Sequence, residues 1–273
     1  MTQVIRDLRY EDYASLPGIS ATDLKRARVS MFNYRYCQEH PPEPTDAMAL
    51  GSAVHSAVLT PDRFAADYIA YDGTRRGKEW DAFRSFHAAT GKTILTRTEY
   101  DKCSAMSAAV HHHPAALPLL ARGEAELSLQ WDRDGILCKC RLDMLGDVLV
   151  ELKTAADITP RGFTSQSYKL GYHLQYAWYS DGIEAVFTKR PAVVVIAVES
   201  KLPHDVVAYN VDPTVIEEGH DENRALLERM AACEKADRWP GISDEPLRLL
   251  LPRWALADED DLTITIEGEE VRV

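Results

Sequence analysis

The sequence lacks an apolar run long enough to cross a membrane, and its few cysteines form no recognisable pattern. The longest apolar run, residues 192–198, has the length of a strand, whereas a membrane helix needs roughly 18 apolar residues or more. The five cysteines are an odd number without CxxC spacing, which argues against a disulfide framework and an iron–sulfur cluster. Residues 1–10 contain no apolar core of a signal peptide. We therefore expect a reduced, cytoplasmic protein.

The sequence also lacks a surplus of basic residues. Its 273 residues include 31 lysines and arginines against 43 aspartates and glutamates, which gives a net charge of −12. Because nucleic-acid-binding proteins usually carry a basic surplus, this charge at first argues against DNA as a partner. Hydrophobic residues make up 45% of the chain, which is typical of a globular protein and excludes disordered and fibrous classes. The length fits one domain with extensions.

The first part of the chain, residues 1–121, has mainly helical signals. Ser20 followed by Asp23 predicts a capped helix start. The spacing of apolar residues predicts helices over 45–59, 77–90 and 97–121, the last interrupted by Pro114. This helical part carries His55.

The pattern changes to strands in the second part, residues 122–210. Alternation over residues 124–153 predicts a three-stranded antiparallel meander with a turn at Gly146. A helical region over 160–188 and an apolar strand over 192–199 predict a crossover to a buried parallel neighbour. Another strand over 204–210 precedes the third part, residues 211–273, with a charged helix over 212–237 and a β-like tail over 262–272. We therefore expect a mixed α/β protein.

The stretch 140–154 carries the most chemical information. If 147–153 is a strand, Glu151 and Lys153 project to the same face. The turn at Gly146 can bring Asp143, on the preceding strand, close to Glu151. Mg²⁺ prefers carboxylate oxygens and water, and a neighbouring lysine can orient a water for phosphodiester hydrolysis. The alternative is an exposed acidic turn with a lysine nearby by chance.

Four more residues extend this candidate site, each with a purely structural alternative. Glu126 lies on the polar face of the preceding strand, where it either reaches a metal or is simply solvated. His55 lies on a small, apolar helix and is either a metal ligand or a core histidine. Gln175 and Tyr179 share one helix face and either hold phosphate or pack in the core.

In chain order, these residues resemble the motifs of the PD-(D/E)XK nuclease superfamily. The matching elements are G-x-x-x-H at 51–55, Glu126, Asp143, E-L-K at 151–153 and Q-x-x-x-Y at 175–179. Within the superfamily, the chain resembles the RecE-type exonucleases of phages and prophages (exodeoxyribonuclease VIII). Further likeness lies at 18–20, 75–78, 152–157, 239–241 and 251–254, so it covers roughly residues 15–256. Leu142 stands where the superfamily motif has proline.

The resemblance implies a fold and a set of roles. The fold is a restriction-endonuclease-like core, with a central mixed sheet flanked by helices. Asp143, Glu151 and the Leu152 backbone carbonyl would bind Mg²⁺, for which Mn²⁺ would substitute, and His55 and Glu126 would complete the metal site. Lys153 would position the attacking water. Gln175 and Tyr179 would support that lysine or contact DNA.

The resemblance also implies a substrate and partners. Such enzymes digest one strand of linear double-stranded DNA from its 5′ end, leaving a 3′ tail for a RecT-like annealing protein, and form homo-oligomeric rings around the duplex. Arg75, Arg76 and Lys78 would contact DNA phosphates, or else form a solvated basic loop. Part of the acidic surplus would then bind the metal, and the acids at 217–222 and 258–261 would lie on the outer surface.

Three other functions remain open from the sequence. The same fold could act as an endonuclease or as a single-strand-specific nuclease. It could also be a non-catalytic DNA-binding or assembly module, which the intact Asp143, Glu151 and Lys153 argue against. An acidic protein-interaction domain is supported only by the net charge.

Overall fold

The computed structural model of the chain describes residues 2–43, 45–250, 263–266 and 269–272. These residues include ten strands and eleven helices. The strands are β1 (Gln3–Ile5), β2 (Tyr68–Tyr71), β3 (Thr93–Thr96), β4 (Glu124–Arg133), β5 (Ile136–Leu145), β6 (Leu149–Ala155), β7 (Val193–Glu199), β8 (Val206–Asn210), β9 (Thr263–Ile266) and β10 (Glu269–Arg272). The helices are α1 (Tyr10–Ser15), α2 (Ala21–Val29), α3 (Met31–Glu39), α4 (Asp46–Leu59), α5 (Pro61–Asp67), α6 (Lys78–Ala88), α7 (Arg97–His112), α8 (Leu117–Leu120), α9 (Pro160–Lys169), α10 (Tyr172–Phe187) and α11 (Pro213–Ala236).

A six-stranded mixed sheet forms the centre of the protein, in the order β1-β4-β5-β6-β7-β8. Strands β4, β5 and β6 form the predicted antiparallel meander. Strand β7 then pairs parallel with β6 over seven residues, after the crossover through α9 and α10. Neighbouring parallel strands require such a long connection. The mixed α/β fold with a central sheet flanked by helices is therefore confirmed.

Two hydrophobic cores cover the two faces of this sheet. One core includes residues of α2, α10 and α11, such as Leu24, Trp178 and Leu226. The other includes residues of α4 and α7, such as Val54 and Met106. Strand β6 divides its side chains between the two sides, and Val150 and Leu152 lie in the second core. This alternation leaves the opposite face of β6 for Glu151 and Lys153.

Short polar residues fix where the helices begin. Ser20 and Asp23 form a reciprocal capping box at α2, as predicted, and Thr96 with Glu99 forms another at α7. Thr45 caps α4 through its side chain. Such caps satisfy backbone N–H groups that have no partner inside the helix, and each stabilises a helix by about 1 kcal/mol.

Some predicted elements differ in detail from the structure. The region 160–188 is two helices, because Gly171 adopts a left-handed conformation with φ of 65° between α9 and α10. The short strands β2 and β3 form a separate parallel pair, which the sequence did not predict. Residues 251–254 and 258–261, assigned above to a C-terminal motif and to an acidic exterior, lie outside the described residues. In the part of the chain described, no helix is both long and apolar enough to span a bilayer.

Candidate active site

The candidate site lies where β5 and β6 separate. The two strands pair only at Met144–Val150 and Leu145–Leu149. Beyond these pairs, the Leu152 backbone N–H donates to Asp143 Oδ2 at 2.7 Å. The aspartate carboxylate therefore replaces a strand-to-strand hydrogen bond, and it is held at the opening between the two strands.

Lys153 links the two carboxylates predicted from the sequence. Its Nζ donates to Glu151 Oε2 at 2.8 Å and lies 4.0 Å from Asp143 Oδ2. Glu151 is fully buried and Lys153 is 8% exposed. A buried ammonium group is costly unless it is paired with negative charge or well hydrogen-bonded. The hairpin therefore brings Asp143, Glu151 and Lys153 together, as their spacing predicted.

Glu151 has one oxygen that is satisfied and one that is not. Its Oε2 accepts from both Lys153 Nζ and Gln175 Nε2, the latter at 2.7 Å. Its Oε1 is buried and has no hydrogen-bond partner. An unpartnered carboxylate oxygen is costly to bury, and its presence beside other acids indicates a position for a cation.

His55, Glu126 and Asp143 form a second group, next to the first. One ligand atom from each lies within 4.8 Å of the others. His55 Nδ1 is 3.3 Å from Asp143 Oδ1. The strand register places Glu126 directly across from Asp143, because Ala125 pairs with Met144 and Leu127 with Leu142. His55 reaches the site from α4, which packs on one face of the sheet, whereas Gln175 reaches it from α10 on the other.

The backbone at Glu126 is unusual. Its φ of 57° lies in the left-handed region, although the residue is in a strand. Non-glycine residues in this region carry strain, which is frequently found at functional sites. Arg141, on the neighbouring strand, forms an ion pair with Glu126 and donates to the Leu8 carbonyl oxygen. Arg141 thereby holds the Glu126 carboxylate in place.

Burial and neighbouring charges shift the pKa values of Asp143 and Glu151 in opposite directions. Burial favours the neutral form of Asp143, but His55 and Lys153 outweigh it and lower the pKa of Asp143 to about 2. Burial, followed by repulsion from Asp143, raises the pKa of Glu151 to about 7. For Lys153, attraction to both carboxylates overcomes burial and raises its pKa, so that it stays charged. These directions follow from close charges in a largely buried site.

These residues fit a divalent cation. Carboxylate oxygens are the ligands that Mg²⁺ prefers, and an imidazole nitrogen is also acceptable to Mn²⁺. Three donor atoms converge at His55, Glu126 and Asp143, and the unpartnered Oε1 of Glu151 supplies a fourth acceptor nearby. A cation there would also offset the repulsion between the acids.

Tyr179 and Leu152 are two further residues that the sequence assigned to the site. Tyr179 is half-buried and packs against the first core, and burial followed by Glu151 raises the pKa of its phenol. Leu152 contributes its N–H to Asp143, and its side chain is fully buried. Neither observation tests the role that the resemblance implies for these two residues.

The basic residues Arg75 and Arg76 lie between β2 and α6, and Lys78 is the first residue of α6. Arg75 donates to Glu99 Oε2 at 2.6 Å and to the Ile94 carbonyl oxygen, so its charge is partly neutralised. All three residues are exposed, but Arg75 is paired with Glu99.

Lys25 is a site residue that the sequence reasoning missed. Its Nζ donates to Gln175 Oε1 at 2.7 Å, across 150 positions of the chain. Tyr172 also joins the site, since its ring lies near both Lys25 and Lys153. The only sequence signal for Lys25 was its position in the capped helix that follows the 18–20 motif.

The comparisons with known proteins agree with this geometry. A family model described as a PDDEXK-like domain of unknown function (DUF3799) matches residues 25–246. The chain is similar in structure to a Eubacterium rectale protein described as a candidate exonuclease, with a TM-score of 0.65 and 14% identity, over 90% of this chain and 96% of that one. A phage-related exonuclease from Haemophilus somnus has a TM-score of 0.34 and 11% identity, over 82% and 98% of the two chains, and supports no conclusion. No curated protein matches in sequence. The similarity to the Eubacterium rectale protein supports the fold alone.

Proposed function

Because the chain belongs to the PDDEXK-like family DUF3799, a family with a nuclease fold, we propose that it is a Mg²⁺-dependent exonuclease of double-stranded DNA. It digests one strand of a linear duplex in the 5′-to-3′ direction and leaves a 3′ single-stranded tail. The observation that carries the hydrolytic part of this proposal is the buried Asp143–Lys153–Glu151 cluster at the strand opening. The direction of digestion rests on the resemblance to RecE-type exonucleases.

Each residue of the cluster, and each of its neighbours at the site, has a proposed task in phosphodiester hydrolysis. Asp143, Glu151, Glu126 and His55 would hold the cation, and a bound divalent cation polarises the phosphate and activates a water. Lys153 remains charged, so its ammonium holds a water by hydrogen bonding and stabilises negative charge that develops on the phosphate. Gln175 keeps Glu151 in place through its amide N–H.

The proposal extends to partners. A 3′ tail is the substrate of a single-strand annealing protein, so we propose a RecT-like partner in DNA recombination. We also propose a homo-oligomeric ring that surrounds the duplex. Arg76 and Lys78 would face phosphates in this ring, while exposed acids on α11, such as Glu217 and Glu218, would face outward.

Digestion of end-labelled DNA tests the proposal. Linear duplex labelled at either the 5′ or the 3′ end is incubated with Mg²⁺ or with EDTA, beside a covalently closed circle of the same sequence. We expect early release of the 5′ label, late release of the 3′ label, an intact circle and no digestion in EDTA. Asp143→Asn serves as the inactive control, since it keeps the size of the side chain but removes its charge.

Other outcomes would assign a different activity. Cutting of the circle would indicate an endonuclease, and digestion of single strands alone would indicate a single-strand-specific nuclease. DNA binding without any metal-dependent digestion would indicate a non-catalytic module. Early release of the 3′ label would reverse the proposed direction.

A further inference from the structure

Lys25 is a basic residue close to the candidate active site that the reaction described above does not use. It lies half-buried on α2, and its only side-chain hydrogen bond within the described residues joins its Nζ to Gln175 Oε1 at 2.7 Å. Its Nζ also lies 5.2 Å from the centre of the Tyr172 ring, and Lys153 Nζ lies 5.3 Å from the same ring. Both ammonium groups are therefore held by one aromatic ring, at cation–π distance.

The hydrogen bond from Lys25 fixes the orientation of the Gln175 amide. An amide has one oxygen that accepts and one nitrogen that donates, whereas an ammonium can only donate. Because Lys25 donates, the Gln175 oxygen must face it, and the nitrogen must face Glu151. Without the ammonium, the amide could rotate by half a turn and present its oxygen to the Glu151 carboxylate, which would repel it.

This orientation determines which oxygen of Glu151 remains free. Gln175 and Lys153 both donate to Oε2, and Oε1 remains without a partner. Concentrating both donors on one oxygen leaves the other free for a cation. Groups that orient a metal ligand in this way typically change metal affinity by 10- to 100-fold when they are removed.

We propose that Lys25 is a positioning residue, which orients the Gln175 amide and through it the Glu151 carboxylate for metal binding. This inference rests on the proposed metal-dependent nuclease function. It assigns to α2 a role in building the metal site, although α2 contributes no metal ligand itself.

Calorimetric titration of the full chain with Mn²⁺, without DNA, tests this role. The proteins are the natural sequence, Lys25→Met, Gln175→Leu and the double variant, with Lys169→Met as the control for loss of a neighbouring exposed cation. We expect Gln175→Leu to weaken Mn²⁺ binding by about 10- to 100-fold and Lys25→Met by about tenfold, at the lower end of that range. The double variant should be no weaker than Gln175→Leu, because Lys25 acts through Gln175. Lys169→Met should bind as the natural protein does.

A second measurement separates positioning from direct contact with DNA. Binding of duplex DNA in Ca²⁺ is measured over a range of salt concentrations. A positioning residue leaves the salt dependence unchanged, whereas loss of a phosphate contact lowers its slope by about one. Lys25→Arg, which can still donate to the amide oxygen, should recover most of the Mn²⁺ affinity, and a purely space-filling role would not distinguish arginine from methionine.

Each contrary result has a distinct meaning. Unchanged Mn²⁺ binding in Lys25→Met, or additive losses in the double variant, would overturn the inference and leave the nuclease proposal standing. A reduced salt slope with normal Mn²⁺ affinity would make Lys25 a DNA contact instead. Absence of Mn²⁺ binding by the natural protein would overturn both proposals. Should Lys25→Met fail to fold, judged by its melting curve, Lys25→Leu makes the same comparison, because leucine also has no donor.

Discussion

Replacing Glu151 by glutamine is expected to make the metal-free protein less sensitive to pH. The carboxyl group is fully buried, and burial and Asp143 raise its pKa from 4.5 to about 7. A carboxyl whose pKa is raised by folding stabilises the folded state only while it is protonated. That stability is complete below pH 4.5, and it is lost as the pH rises through 7.

The size of the effect follows from the shift in pKa. One pKa unit corresponds to 1.36 kcal/mol, so the natural protein should lose up to about 3 kcal/mol of unfolding free energy between pH 4.5 and pH 8. Glutamine has no titrating proton, and Glu151→Gln should lack this loss. His55 also has a raised pKa and loses its contribution above pH 6.5, but it is present in both proteins. The difference between the two proteins therefore reports Glu151.

Urea unfolding in EDTA at pH 5, 6, 7 and 8 measures this difference. We expect the two stability curves to diverge with rising pH, with the variant the more stable at pH 8. Addition of Mg²⁺ should stabilise the natural protein at pH 8 more than it stabilises Glu151→Gln, because the cation neutralises the buried carboxylate only in the natural protein. Parallel curves in EDTA would refute the reasoning, since they would mean that Glu151 does not resist ionisation in the fold.

Three further predictions concern the reaction, the DNA contact and the packing. Lys153→Met should abolish Mg²⁺-dependent digestion of linear duplex while the circular dichroism spectrum stays unchanged, and full activity would rule out its catalytic role. Replacing Arg76 and Lys78 together by glutamine should lower the salt slope of duplex binding by about two, whereas an unchanged slope would make the loop merely solvated. Gly219→Ala should destabilise the protein by about 1–3 kcal/mol in urea unfolding, because its new methyl group would lie 2.2 Å from the His173 carbonyl oxygen. Equal stability would mean that α10 and α11 can move apart freely.

Local patterns predicted much of the fold. The alternation over 124–153 predicted the meander, and Ser20 with Asp23 predicted the start of α2. The strands β1, β2 and β3 were not predicted, because segments of three or four residues carry too little periodicity. Their pairing depends on neighbours that are distant along the chain.

The candidate site was likewise predicted only in part. Asp143, Glu151 and Lys153 lie within eleven residues of one another, so a hairpin and the alternation of a strand were enough to predict that they meet. Lys25 could not be predicted, because its partner lies 150 positions away. The pairing of Arg75 with Glu99 spans 24 positions, and it was missed for the same reason. Spacing can predict contacts within a hairpin, whereas contacts between helices depend on the packing of both cores.

The placement of the site between two cores has a consequence for the newly synthesised chain. His55 lies in one helical layer and Gln175 in the other, and each joins the site only when its layer packs on the sheet. A chain in which α4 has not packed lacks His55 at the site, and a chain in which α10 has not packed lacks the Gln175 amide that holds Glu151. Contacts that join distant segments form late, because closing long loops costs entropy. Under the proposed function, the chain would therefore not hydrolyse DNA until both helical layers have packed on the sheet.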